Sequence, residues 1–135
     1  MKISRIGMDI AKNVFQLHGV GSFEQIVLKK KLKRADVLAY FRTLAVCQIG
    51  MEACGGAHHW ARSLIAMGHS VLLMAPQFVK PYVKTNKNDA ADAEAICEAM
   101  SRPGMRFVPV KTVEQQDIQA LHRVRSELVK QRTAK

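Results

Sequence analysis

Four carboxylates in this 135-residue chain stand where hydrophobic segments end or begin. Asp9 ends an alternating stretch in RIGMDIAKN, and Glu52 ends another in QIGMEACGG. Each follows a Gly-Met pair, in IGMD and IGME. Asp89 and Asp92 open the Ala-rich segment KNDAADAEA, and their i, i+3 spacing puts them on one face of a helical turn. Taken alone, that pair is good capping chemistry, with Asn88 or Asp89 as N-cap and acids suited to the first turn. Together with Asp9 and Glu52 it makes a four-carboxylate cluster. Two like charges about 4 Å apart repel by roughly 1 kcal/mol in water and about 4 kcal/mol at an effective dielectric near 20. Several such pairs in one cleft call for a cation, and hard oxygen ligands select Mg²⁺ or Mn²⁺. Two such ions about 3.5–4 Å apart stabilise both the attacking and the leaving oxygen of a phosphodiester transfer.

The cluster forms only if the elements that carry the acids converge. Ile3 to Asp9 reads as a strand with Ile6, Met8 and Ile10 on one face. Asn13 to Val20 alternates as a second strand, Gly19 and Gly21 make a turn, and Phe23 to Lys29 continues as a third, which gives an antiparallel meander. Helical spacing follows over Ala35 to Leu44. Val46 to Met51 is a short apolar strand. Ala57 to Met67 is a helix with Gly68 as its C-cap. Ser70 to Met74 is a buried strand, Pro76 to Val83 a short helix broken at Pro81, and Asp89 to Met100 a helix stopped by Arg102-Pro103-Gly104. Val108-Pro109-Val110 is extended, and a long helix runs from Thr112 to Gln131. The order β-β-β-α-β-α-β-α gives an α/β fold, a mixed five-stranded sheet of order 3-2-1-4-5 with strand 2 antiparallel, flanked by helices. This is the ribonuclease H-like arrangement. Strand 1 lies beside strand 4, so Asp9 and Glu52 share the carboxyl edge where sites in such sheets form. Residues 1–104 read as the catalytic domain and 105–135 as a linker and the start of a connecting helix.

Lys and Arg number 21 against 11 Asp and Glu, a formal net charge of +10. That excess favours a polyanion, nucleic acid before an acidic membrane. No secretory signal precedes the first strand, and runs such as Val71-Leu72-Leu73-Met74-Ala75 are too short to cross a bilayer. Three Cys without a framework pattern suit a reducing cytosol. The expectation is a cytoplasmic protein acting on DNA, with no membrane.

The blocks IGMDIAKNVFQLHGV, GMEACGGAHHWAR and KTNKNDAADAEAI, in that order between residues 5 and 96, resemble the signature blocks of the DEDD insertion-sequence transposases. These recombinases are related to the Piv invertase, and their amino-terminal domain resembles the RuvC Holliday-junction resolvase. Position by position, the resemblance makes Asp9, Glu52, Asp89 and Asp92 the metal-binding catalytic acids. It implies Mg²⁺-dependent DNA recombination in a prokaryotic cell, guidance by a bridge RNA in much of the family, and homo-oligomers of the full-length protein. It also implies a carboxyl-terminal domain with a Ser nucleophile, so this chain is expected to be an amino-terminal part, inactive alone.

Lys80, Lys84 and Lys87 precede the paired Asp and are candidate backbone contacts, which give affinity rather than sequence choice. The run Lys29-Lys30-Lys31-Leu32-Lys33-Arg34 is either a second such patch or a solvated corner. Cys54, His58 and His59 fit no common zinc spacing. They read as helix-start residues, with His58 or His59 a candidate to assist Glu52. Two other functions compete. A non-catalytic nucleic-acid-binding or assembly module would use the basic surface alone. A phosphotransferase of the sugar-kinase and actin type needs a Gly-rich phosphate turn, whereas Asp9 is followed by Ile10-Ala11-Lys12-Asn13.

Overall fold

The computed structural model describes residues 2–84 and 88–115. Lys87, and all but the first turn of the long helix expected from Thr112, lie outside the described residues. The element order is β1 (Arg5–Ile10), β2 (Val14–Val20), β3 (Ile26–Lys33), α1 (Val37–Arg42), β4 (Gln48–Glu52), α2 (Gly55–Ala66), β5 (Ser70–Met74), α3 (Pro76–Val79) and α4 (Asp89–Ala99). The sheet order is β3-β2-β1-β4-β5. β2 runs antiparallel to β1 and β3, while β1, β4 and β5 are parallel. This is the predicted mixed sheet.

Alternation divides the sheet into two faces. Ile6, Met8, Phe15, Leu17, Ile49, Met51 and Leu73 point to one side and are fully buried with Phe41 of α1 and Leu64 of α2. Phe15 meets Trp60 edge to face at 4.9 Å between ring centroids, an arrangement favourable beyond its buried area. α2 ends as predicted at Gly68, whose φ of +97° few other residues adopt. The amides of Gly68 and His69 return to Ile65 and Leu64 in a Schellman cap.

The second face carries Arg5, Gly7 and Asp9 of β1 and Gly50 and Glu52 of β4, and α4 covers it. α4 buries Ala93, Ala95, Ile96, Cys97 and Ala99, and its small residues let it lie flat on the sheet. The glycines beneath leave it room, and Gly7 is required. A Cβ on Gly7 would stand 2.3 Å from the Ala93 carbonyl oxygen and 2.4 Å from the Cys97 nitrogen, and one on Gly50 would stand 2.7 Å from Met100 Sδ. Arg5 Nε donates to the Cys97 carbonyl at 2.8 Å, while Asp9, at the other end of β1, meets the first turn of α4. The two elements therefore run antiparallel.

Two expectations change. The third strand, expected over Phe23 to Lys29, is Ile26–Lys33. A turn closed by Gly21 N–H on the Gln25 carbonyl at 2.9 Å takes up Phe23 to Gln25. The lysine run is therefore strand, not corner, because an edge strand can carry charge on every second position. The segment after α4 is also docked. Val108 N–H donates to Leu73 O at 2.7 Å and extends the β5 edge by one bridge. Residues 113–115 are helical, and Thr112 and Gln115 cap each other reciprocally at 2.9 and 3.1 Å.

Candidate metal centre

The parallel register pairs Arg5 with Gln48 and Gly7 with Gly50. The same offset carried two residues further sets Asp9 level with Glu52. The pairing stops at Gly50, so the strands part where their acids sit. α4 brings its first turn to this opening. Asn88 caps it, its Oδ1 accepting the Ala91 N–H at 2.8 Å. Asp89 and Asp92 follow as first-turn acids.

Carboxylate oxygens of Asp9, Asp89 and Asp92 all lie within 4.8 Å of one another. Glu52 stands outside that set, though its charge is felt at Asp9. Burial pushes the Asp9 carboxyl up to about 7, helped by the charges of Asp92, Asp89 and Glu52 and by a hydrogen bond to Asp89. Glu52 is raised too, by burial and then by Asp92. With Asp9 and Glu52 both raised by burial and by neighbouring acids, the cluster is a donor set short of positive charge. It fits a hard divalent cation and no soft one. Replacing Asn88 by alanine removes the cap and should cost about 1 kcal/mol of stability in a thermal melt. It should also weaken Mn²⁺ binding, because it loosens the turn that carries both aspartates. A variant that binds Mn²⁺ as tightly as wild type would show that the cap does not position the site.

The basic candidates separate by face. Lys29, Lys31 and Lys33 pair in register with His18, Gln16 and Val14. Because Gln16 is opposite Asp9 and His18 opposite Gly7, these three lysines flank the acids on the α4 side. Lys30 points the other way, its ammonium 5.1 Å from the Tyr40 ring centre. Arg34 lies over the Phe15 and Trp60 rings at 5.9 and 5.3 Å. Lys80 is exposed in a 3-10 turn after α3, and Lys84 pairs with Glu98 at 3.1 Å. His58 is held elsewhere: its Nδ1 accepts the Lys111 N–H at 3.0 Å. His59 is exposed beside Trp60. Gly7 and Gly50 escape a reading by residue chemistry, yet they let α4 reach the acids. The doubled pattern Ile-Gly-Met-acid was their signal: Gly under the helix, Met into the opposite core, acid at the strand end.

A family model for DEDD transposases of the IS110 type matches residues 6–135. The chain belongs to this transposase family. Its transposase relatives include the "Probable family 20 transposase" of Pseudomonas aeruginosa, 63% identical over 134 residues, which are 99% of this chain and 40% of the relative. The transposase for insertion sequence element IS1111A of Coxiella burnetii is 53% identical over 132 residues, 98% of this chain and 36% of that one. The chain thus spans about two fifths or less of these transposases. Among solved structures, the Thermus thermophilus RuvC bound to a Holliday junction substrate superposes with a TM-score of 0.55 at 13% identity, covering 80% of this chain and 100% of that one. That likeness shows the fold. No helix among the described residues is long and apolar enough to cross a membrane.

Proposed function

We propose that this chain is the metal-holding, backbone-gripping part of a transposase that cleaves and joins DNA strands. The observation that carries the reading is the meeting of Asp9, Asp89 and Asp92 within 4.8 Å at the mouth between β1 and β4. Asp9, Asp89 and Asp92 would hold Mg²⁺ or Mn²⁺, with Glu52 closing the set from β4. When bound, such a cation stabilises negative charge on the phosphodiester oxygens as they exchange. The remaining work falls to the protein. Lys29, Lys31 and Lys33 supply a row of cations beside the acids, which grips phosphates without reading sequence. The curated relatives extend well beyond this length, so the 135 residues are expected to bind metal and DNA without completing recombination.

The test is Mn²⁺ titration by calorimetry on wild type and Asp9→Ala, at pH 6 and pH 8. Wild type should bind more tightly at pH 8. Asp9 keeps its proton up to about 7, and a ligand must shed its proton to bind. Asp9→Ala should lose most of the affinity and the pH dependence with it. Equal binding by the two proteins would overturn the reading. A module that uses only its basic surface would bind DNA with the same salt dependence and show neither effect.

A further inference from the structure

We propose that the groove between α4 and the β2–β3 ribbon is a second binding site, which takes the base of one unpaired nucleotide against Glu94 and His18. It rests on the reading of this domain as one that acts on nucleic acid, and it adds a contact outside the acid cluster. Two cavities of about 250 and about 480 Å³ open along this flank of α4, and both are lined by His18 and Glu94. His18 is 5% exposed, and its side chain makes no hydrogen bond to any described residue. Glu94 likewise has no hydrogen bond or ion pair among the described residues. The other charges lining the larger cavity are matched: Arg5 with Glu24 at 2.6 Å, Lys84 with Glu98 at 3.1 Å, and Arg102 with Glu98.

The enclosed side-chain nitrogen without a partner among the described residues is Trp60 Nε1; the polar atoms of His18 and Glu94 instead open onto the cavities they line, where a ligand can reach them. The pair also says which one. A carboxylate only accepts, while a neutral imidazole offers one N–H and one acceptor. Burial lowers the His18 pKa and so favours the neutral ring. An amino group beside a ring nitrogen, as on adenine or cytosine, meets both. Thymine and uracil present a carbonyl where the amino group would be, facing Glu94. A phosphate in the same place would be repelled by that carboxylate. Ala90 and Ala91 give the smaller cavity an apolar wall for a flat ring, and Lys29, opposite His18 in register, stands ready for the adjoining phosphate. In a duplex the Watson–Crick edge is occupied by pairing and the ring is held in the stack, so a base that enters a cavity walled by Ala90 and Ala91 must be unpaired.

The experiment measures fluorescence anisotropy of short oligodeoxyadenylate, oligodeoxythymidylate, oligoadenylate and oligouridylate with the 135-residue chain in EDTA. Wild type is expected to prefer the adenine strands about tenfold. Glu94→Ala should bring that ratio close to one, with circular dichroism showing the fold retained. The deoxy and ribo arms tell whether DNA or RNA supplies the nucleotide. Equal binding of all strands by wild type, or a preference untouched in Glu94→Ala, would overturn the proposal. Because EDTA is present, the outcome is separate from the metal reading. Mn²⁺ binding without base preference removes only the groove, and base preference without Mn²⁺ binding removes only the metal.

Discussion

Gly7→Ala should lower the stability of the domain by about 3 kcal/mol and take its Mn²⁺ binding with it. Ordinarily alanine in place of glycine is favourable, since it narrows the unfolded ensemble by about 0.4–1 kcal/mol. Here the new methyl would meet backbone, at 2.3 Å from the Ala93 oxygen and 2.4 Å from the Cys97 nitrogen. No side-chain rotation relieves that contact. α4 must lift, and with it Asp89 and Asp92 leave Asp9. Gly50→Ala is the matched control. Its methyl meets the flexible end of Met100 at 2.7 Å, so it should cost about 1 kcal/mol. Thermal melts and Mn²⁺ calorimetry on both variants decide it. Equal losses at the two positions would show that close approach of α4 is not what holds the acids together.

Asp9→Asn should make the metal-free domain more stable and the metal-loaded domain less so. The carboxyl of Asp9 moves from its ordinary 3.8 to about 7 in the fold. Between those values the folded chain keeps a proton that the unfolded chain has lost. The site's contribution is therefore fully present below about pH 4, falls as pH rises to about 7, and stays lost above it. Asparagine carries no such loss. At pH 8 without metal the variant should melt higher, by about 1 kcal/mol once the half-exposure of Asp9 is allowed for. The gain should vanish near pH 4. Saturating Mn²⁺ should reverse the order, since a ligand that binds only the native state stabilises it by mass action. Wild type and variant melting together at pH 8, with and without Mn²⁺, would count against both the shift and the site.

The sheet was legible because its strands and helices keep clean periods. The meander alternates, the crossovers repeat every three to four residues, and handedness leaves one order for five such strands. That order alone brought Asp9 beside Glu52. β3 was misread at both ends because five cations in six residues argue against a strand, while its place at the sheet edge cannot be known before the sheet is assembled. α4 shows the same limit. Its Ala-rich face is plainly helical, but nothing in DAADAEA says how near the sheet it will lie. That distance is set by the missing side chains at Gly7 and Gly50. It decides why Asp9, Asp89 and Asp92 form the tight set while Glu52 stands just beyond it.

The antiparallel seam between β1 and α4 also sets a clock. Arg5 and Cys97 touch across 92 residues of chain. During synthesis the β1–β2–β3 meander is complete once Lys33 has emerged, but the face of β1 that holds Gly7 and Asp9 has no cover until α4 follows. At 5–20 residues per second that wait is roughly 3–13 s. Any shorter product has Asp9, with or without Glu52, and lacks the turn that completes the triple. If the proposed site holds metal, a half-made chain is silent there, and metal binding would report on a finished fold.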